Sequence, residues 1–392
     1  MSLPQGVNVS QSSCAGSPLV CKMHKSIYGL WKSCRKWYKK LSDALIADGF
    51  QQSQADHTLF TRGKDNTFIA LLVYIDDIVL IGTNLNELQC FQESLHSQFK
   101  LKALGTLKYF LGFEIACSKS SLFLSQCKYT LQLLEDPRYL GSKPIKTPMD
   151  PRLKLNDQHC DLLSDPSHYR KLVGHLLYLT LSRPDITYYV HTLSQFMATP
   201  HTTHLQDAHH LLRYFKGRPG QGLLYSSSSS SLHLRGFSDS DWASCSVTRR
   251  STTGFCIFLG DCLVSWCTKK QPKISKSSVE AEYRVLASTA SEITWIQYLF
   301  KDLQILSSTL AFIYYGNQLA IHIANNPTFH DRTKHIELDC HFIRDKVKNY
   351  SIRLIPVSSR LQLANALTKE LSSTTLHFHI SKMAVHDIYS PS

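Results

Sequence analysis

At 392 residues the chain is too long for one compact core, so two or three domains are expected. Its formal net charge of +13 favours a polyanionic partner. Twelve cysteines without a CxxC pair exclude a disulfide framework or zinc knuckle and point to a reducing compartment. No N-terminal stretch has the order of a signal peptide, and the longest apolar run is broken by Asp76 and Asp77, so an intracellular protein without a membrane span is expected.

Residues 1–20 are rich in Ser, Gly and Pro, lack periodicity, and are expected to be disordered. Trp37, Leu41, Ala44 and Leu45 recur at helical spacing before Gly49, which predicts an amphipathic helix over 36–47. The stretch 68–82, FIALLVYIDDIVLIG, then places two adjacent carboxylates in an apolar run. Its halves, 68–74 and 78–81, predict two buried strands, with Ile75, Asp76 and Asp77 at the hairpin tip. Paired carboxylates held on a hairpin invite Mg²⁺, which relieves their repulsion and can bridge substrate phosphates.

Asn84 with Glu87 forms a candidate capping box for a helix whose apolar face is Leu88, Phe91, Leu95 and Phe99. Strands at 107–115 and 122–124 are expected to complete this α/β unit. From Tyr129 the pattern becomes helical. Asp165 and Pro166 start a helix that buries Tyr169, Leu172, Val173, Leu176 and Leu177, and a second helix carrying Leu205, Ala208, Leu211, Leu212 and Phe215 stops at Gly217. Arg213, Lys216 and Arg218 are candidates to track a phosphate backbone. The serine run 226–231 reads as a linker.

Beyond the linker, strands at 232–237, 254–259 and 263–266 precede a long helix over 277–299. Strand 310–315, helix 318–324, helix 335–347, strand 351–357 and a last helix over 361–371 follow, as in an α/β domain with a mixed sheet. Asp239 and Asp241 close the first of these strands and Glu280 and Glu282 open the long helix, so the two ends could converge on a metal. His335, Cys340 and His341 fit no common zinc spacing and read as a helix surface, as do His209 and His210.

Seven blocks carry a resemblance: YIDD at 74–77, LGTLKYFLGFEI at 104–115, RPDITYYV at 183–190, SDSDWA at 238–243, SSVEAEY at 277–283, RTKHIE at 332–337 and LTKEL at 367–371. In kind and order they resemble the reverse transcriptase and ribonuclease H portion of a plant-like copia-type retrotransposon Pol polyprotein. The resemblance implies an α/β (α+β) protein. A truncated right-hand polymerase palm would occupy 21–128, a helical thumb or connection with its serine linker 129–231, a ribonuclease H-like mixed-sheet domain 232–375, and a tail 376–392.

The implied cofactor is Mg²⁺. The implied partners are an RNA/DNA template-primer or RNA–DNA hybrid and dNTPs, and Tyr74 and Arg35 would join the nucleic-acid contacts. Asp76 and Asp77 match two polymerase carboxylates; a third, and the fingers, are expected to lie upstream of the segment that 1–6 resembles. Trp31, Lys32 and Cys34 depart from the family pattern YGLKQxPRxWY. Asp239 and Glu280 match the first two ribonuclease H carboxylates, and Gly316 and Asn365 stand where the family has Asp. A catalytically defective reverse transcriptase/ribonuclease H fragment is therefore expected, with a non-catalytic nucleic-acid-binding remnant or an unstable pseudogene product as alternatives.

Overall fold

The computed structural model describes residues 33–75, 77–135, 141–149, 161–227, 232–305, 310–316 and 336–389. Asp76, His335, the start of the chain, the expected helix at 318–324 and the last part of the serine run lie outside them. The chain divides into two compact units, Met1–Ala103 and Leu104–Ser392.

In the first unit, helix α1 (Ser33–Ala47) buries Leu41 and Leu45 at i, i+4, which are worth roughly 1.5–3 kcal/mol each when fully removed from water. It packs with strands β1 (Gln51–Gln52), β2 (Leu59–Arg62), β3 (Ile69–Tyr74) and β4 (Asp77–Gly82), which form an antiparallel sheet in that order. Helix α2 (Leu85–Phe99) contributes Phe91 and Leu95 to the same core. Asn84 caps it by accepting from the Asn86 N–H, so the expected cap residue is right, but the bond goes to the second residue of the helix and does not make the expected capping box with Glu87. The expectation of two buried strands holds for β3 only. Among the described residues β4 is the last strand of the sheet, and its Ile81 is exposed.

Among its described residues the second unit holds two five-stranded sheets and a helical layer. Strands β5 (Tyr109–Phe110), β6 (Phe113–Cys117) and β7 (Ser121–Ser125), expected to complete the first α/β unit, pair in sequence, and β7 pairs onward with β8 (Gln221–Ser226), which in turn pairs with β14 (Val385–Asp387). The turn of the LGTLKYFLGFEI block explains itself here. Leu111 and Gly112 both take positive φ, the two-residue turn that matches strand twist. A Cβ at Gly112 would sit 1.9 Å from the Tyr178 hydroxyl, which donates to the Leu111 carbonyl, so only glycine fits.

Helices α3 (Cys127–Leu134), α4 (Ser167–Leu179), α5 (Thr187–Ser194) and α6 (Thr202–Lys216) share one apolar core through Tyr169, Leu176, Val190, Leu211 and Phe215. Leu177, expected in that core, lies on the outer side of α4 and is 38% exposed.

The second sheet runs β11 (Cys262–Lys270), β10 (Thr252–Leu259), β9 (Leu234–Asp241), β12 (Ala311–Tyr315), β13 (Ile352–Pro356). The first three pair antiparallel, while β12 is parallel to both β9 and β13. Helices α7 (Ser278–Asp302) and α8 (Glu337–Lys348) close one core against it. In a second core, Cys256, Phe258 and Leu263 of this sheet meet Leu223 of β8, Leu363 and Leu367, Leu376 and Ile380 of α9 (Ser373–Ser381), and Val385 of β14.

Three expectations change as a result. The segment 376–392 is not a tail over its described part, because α9 and β14 supply core and a sheet strand. The expected helix 361–371 is two 3-10 turns, Ser359–Leu361 and Leu363–Leu367, because Gln362 and Asn365 tie their side chains to backbone instead of facing solvent. Ser226, expected to open a linker, is the paired end of β8.

Candidate functional site

The YIDD hairpin closes tightly. Tyr74 pairs with Asp77 as the last register of β3 and β4, so Asp77 begins a strand instead of sitting at the tip. Ile75 takes φ +47, which is strained for a β-branched residue and costs of order 1–3 kcal/mol. Tyr74, Ile75 and Asp77 are exposed. Arg35 is exposed on α1.

The other candidate site lies at one end of the second sheet. Strand β9 alternates buried Ser238 and Ser240 with Asp239 and Asp241, which fall on one face near the strand end. Tyr315 pairs with Ser238 in parallel register, which brings Gly316 alongside Asp239. A third piece of chain is laid across the sheet by Gln362, whose Nε2 donates to the Ser238 carbonyl at 3.0 Å, and by Thr268, whose hydroxyl donates to the Leu367 carbonyl at 2.8 Å. Gly254 makes that crossing feasible, since a Cβ there would lie 2.5 Å from Thr368 Cγ2 and 3.0 Å from Leu367 Cβ. The crossing segment carries Asn365, Thr368 and Lys369 to Asp239. The Thr368 hydroxyl donates to Asp239 Oδ2, and Lys369 Nζ lies 3.1 Å from Asp239 Oδ2 and 3.1 Å from Asn365 Oδ1.

Of the two glutamates that open α7, the structure brings the second to this cluster. Glu280 is buried, accepts from the Lys276 N–H at 2.6 Å, and pairs with Arg284 one turn on at 2.5 Å. Glu282 lies near Asp239 and Tyr315. Burial and then the Asp239 carboxylate push its pKa up to about 8, against smaller opposing effects of the Tyr315 hydroxyl, Lys369 and the Ser240 amide. Burial, with Asp239 adding to it, also raises Asp241. The sequence contains a signal for the choice, because residues two apart on a helix point about 200° from each other and only one of the pair can face the sheet end. It does not say which.

Glu282 therefore sets a pH dependence. An acid raised from its ordinary 4.5 to about 8 holds its proton more tightly in the folded state, so its contribution to stability is complete below pH 4.5 and is lost as pH climbs towards 8. Glu282→Gln should flatten the fall in melting temperature over that interval and raise the melting temperature at its alkaline end. An unchanged slope would show that Glu282 does not titrate in this range.

The basic candidates have intramolecular partners. Arg213 Nε donates to the Lys143 carbonyl at 3.1 Å, and Lys216 Nζ donates to the Ser142 carbonyl at 2.9 Å, so both fasten the preceding segment to α6. The Arg218 guanidinium lies 3.4 Å from the His377 ring nitrogens. Cys340, expected on a helix surface, is instead buried in the core because it lies on the face of α8 that packs against the sheet, whereas His341 lies on the surface of α8, 3.8 Å from Glu337.

Residues 1–151 match the family model described as reverse transcriptase (RNA-dependent DNA polymerase). The chain is 40% identical over 366 residues to the retrovirus-related Pol polyprotein from transposon RE1 of Arabidopsis thaliana, covering 93% of this chain and 25% of that protein. It is 31% identical over 379 residues to the corresponding polyprotein from transposon TNT 1-94 of Nicotiana tabacum, covering 94% of this chain and 28% of that one. Among solved structures, the foamy viral protease-reverse transcriptase in complex with RNA/DNA hybrid aligns over 88% of this chain and 40% of its own, at 10% identity and a TM-score of 0.44. The chain is strongly homologous to plant Pol polyproteins of copia-type retrotransposons, and its residues 1–151 carry reverse transcriptase sequence. It spans about a quarter of the length of these curated relatives. Among the described residues no helix is long and apolar enough to cross a membrane.

The donor set at the sheet end does not suit a pair of Mg²⁺ ions. Asp239 is already engaged by Thr368 and Lys369, Gly316 offers no side chain, and the Asn365 oxygen accepts from Lys369. Among the described residues no group of three or more His, Cys, Asp or Glu gathers as a metal site.

Proposed function

We propose that this chain is a reverse transcriptase/ribonuclease H portion of a retrotransposon Pol polyprotein that binds RNA–DNA hybrid or template-primer and whose ribonuclease H half does not cleave. The five-stranded mixed sheet, with three antiparallel strands followed by two parallel ones, supports the ribonuclease H-like reading of the second unit. The YIDD hairpin supports the palm reading of the first.

The observation that carries the loss of cleavage is the cluster at the end of β9 and β12. Two-metal hydrolysis needs one ion to generate hydroxide and another to stabilise the leaving oxygen, with carboxylates offsetting both charges. Here Gly316 leaves one position without a donor and Lys369 adds a positive charge beside Asp239.

Binding rests on the net charge of +13, since phosphate contacts release counterions whether or not a metal site is complete. Full-length protein is expected to bind an RNA–DNA hybrid weakly, without sequence preference, and with an affinity that falls steeply as salt rises. It is expected to leave the hybrid uncut in Mg²⁺ or Mn²⁺. Cleavage that disappears in Asp239→Ala would overturn the assignment, and a salt-independent affinity would remove the phosphate-contact reading.

A further inference from the structure

We propose that the Lys369 ammonium is the resident counter-cation of the sheet end, so that the Asp239 cluster folds and stays neutralised without a divalent ion. An ammonium has three donors and no acceptor. Around Nζ stand Asp239 Oδ2 at 3.1 Å, Asp239 Oδ1 at 3.3 Å and Asn365 Oδ1 at 3.1 Å, one oxygen for each donor. The arrangement is bidentate on the carboxylate and is completed by the Thr368 hydroxyl on Oδ2.

Two features make this more than a surface ion pair. The Asp239 side chain is 12% exposed and the Lys369 side chain 38%, so the attraction is shielded from water on the carboxylate's side. The donors are also fixed before they meet the carboxylate. Lys369 N–H donates to the Asn365 carbonyl at 3.0 Å, Asn365 Nδ2 donates to the Ser359 carbonyl at 2.9 Å, and Gln362 and Thr268 pin the same turn to the sheet. Thr368, Lys369 and Asn365 therefore arrive as one preorganised unit and little side-chain freedom remains to be lost.

The residues at 316 and 365 are what allow a single ammonium to suffice. Carboxylates at both positions would add two negative charges to the end of β9, more than one lysine offsets. Gly316 adds none, and Asn365 contributes a neutral oxygen that completes the shell around Nζ. Lys369 thus offsets the charge of Asp239, with Asp241 a further acid on the same face, and a divalent cation would have to displace an ammonium held by three oxygens of Asp239 and Asn365.

The proposal goes beyond the reading of the chain as a non-cleaving ribonuclease H portion, and its test reads stability, so each can fail alone. Full-length protein would be melted with EDTA and with millimolar Mg²⁺. The wild type should show the same melting temperature in both. Lys369→Met should melt several degrees lower in EDTA and recover in Mg²⁺, because the vacated carboxylates become available to the ion, whereas Lys369→Arg should behave as the wild type.

Asp239→Asn supplies the second readout. If Lys369 is the counter-cation, this change leaves an ammonium without its charge partner and lowers the melting temperature; it should do so less, or reverse sign, in the Lys369→Met background. If the cluster is instead a self-repelling acidic site, neutralising Asp239 raises the melting temperature in both backgrounds. That result, or Mg²⁺ stabilising the wild type as much as Lys369→Met, would overturn the proposal. Should Lys369→Met fail to fold in EDTA, the sign for Asp239→Asn in the wild type decides.

Discussion

Asp185→Ala is expected to destabilise the Leu104–Ser392 unit by about 3–5 kcal/mol, measured as a lower urea midpoint of that unit's transition. Arg183 and Asp185 are both essentially inaccessible to water. They pair through two parallel bonds, Nε to Oδ1 at 2.9 Å and Nη2 to Oδ2 at 2.8 Å. The Tyr214 hydroxyl donates to Oδ2 at 2.9 Å, and two further guanidinium donors reach the Arg218 carbonyl at 3.1 Å and Gln221 Oε1 at 3.2 Å. The guanidinium also lies 5.0 Å from the Phe215 ring centroid. Removing the carboxylate strands a buried cation, and that penalty, not the net worth of the pair, sets the size of the loss.

The RPDITYYV block thus has a structural reason. It ties the start of α5 to the end of α6 and to the first residue of β8. Arg183→Met should cost a similar amount, while Arg183→Met with Asp185→Leu should cost clearly less than the sum of the singles, since neither charge is then left alone. Additive losses would mean that the pair does not act as a unit.

Local patterns in the sequence were legible wherever the structure depends on neighbours. Leu41 and Leu45 on α1, Phe91 and Leu95 on α2, and Leu211 and Phe215 on α6 follow the expected spacing, because a single buried stripe decides each helix. The strand order from β9 to β13 was legible for a similar reason, since short apolar runs alternate with a helix of clear periodicity. Non-local pairing was not legible. Nothing within 109–125 says that these strands join β8 across about a hundred residues of chain, nor that 385–387 closes the same sheet. The 363–367 turn misleads because Leu363, Ala366 and Leu367 have helical spacing, while the side-chain bonds of Gln362 and Asn365 that tighten it exist only once β9 and the Ser359 carbonyl are in place. At the site, SSVEAEY contains both glutamates, and the first helical turn favours an acid at Glu280 whether or not it serves the site, so composition could not separate Glu280 from Glu282.

Restoring both missing carboxylates is expected to create hybrid cleavage where the unmodified chain shows none. Gly316 accepts a side chain without steric cost, as nothing lies within 4 Å of a Cβ placed there and its φ is not in the left-handed region. Asn365→Asp is nearly isosteric. Its Oδ1 already lies beside Lys369 at 3.1 Å, so the new charge arrives next to a cation. Each restored ligand should recover at least the roughly 10- to 100-fold typical of losing even an outer-sphere partner, and the two act on one centre, so the double reversion should exceed either single by more than their product. The measurement is Mg²⁺-dependent cleavage of an RNA–DNA hybrid by full-length protein carrying Gly316→Asp, Asn365→Asp or both. Adding Glu282→Gln or Glu280→Gln to the double reversion then tests which glutamate belongs to the site. Loss with Glu282→Gln alone follows from its place beside Asp239 and Tyr315, whereas loss with Glu280→Gln alone would mean that the Arg284 pair opens when hybrid binds, and would return the assignment to Glu280. No cleavage by the double reversion, with the protein still folded, would place the defect outside these two positions.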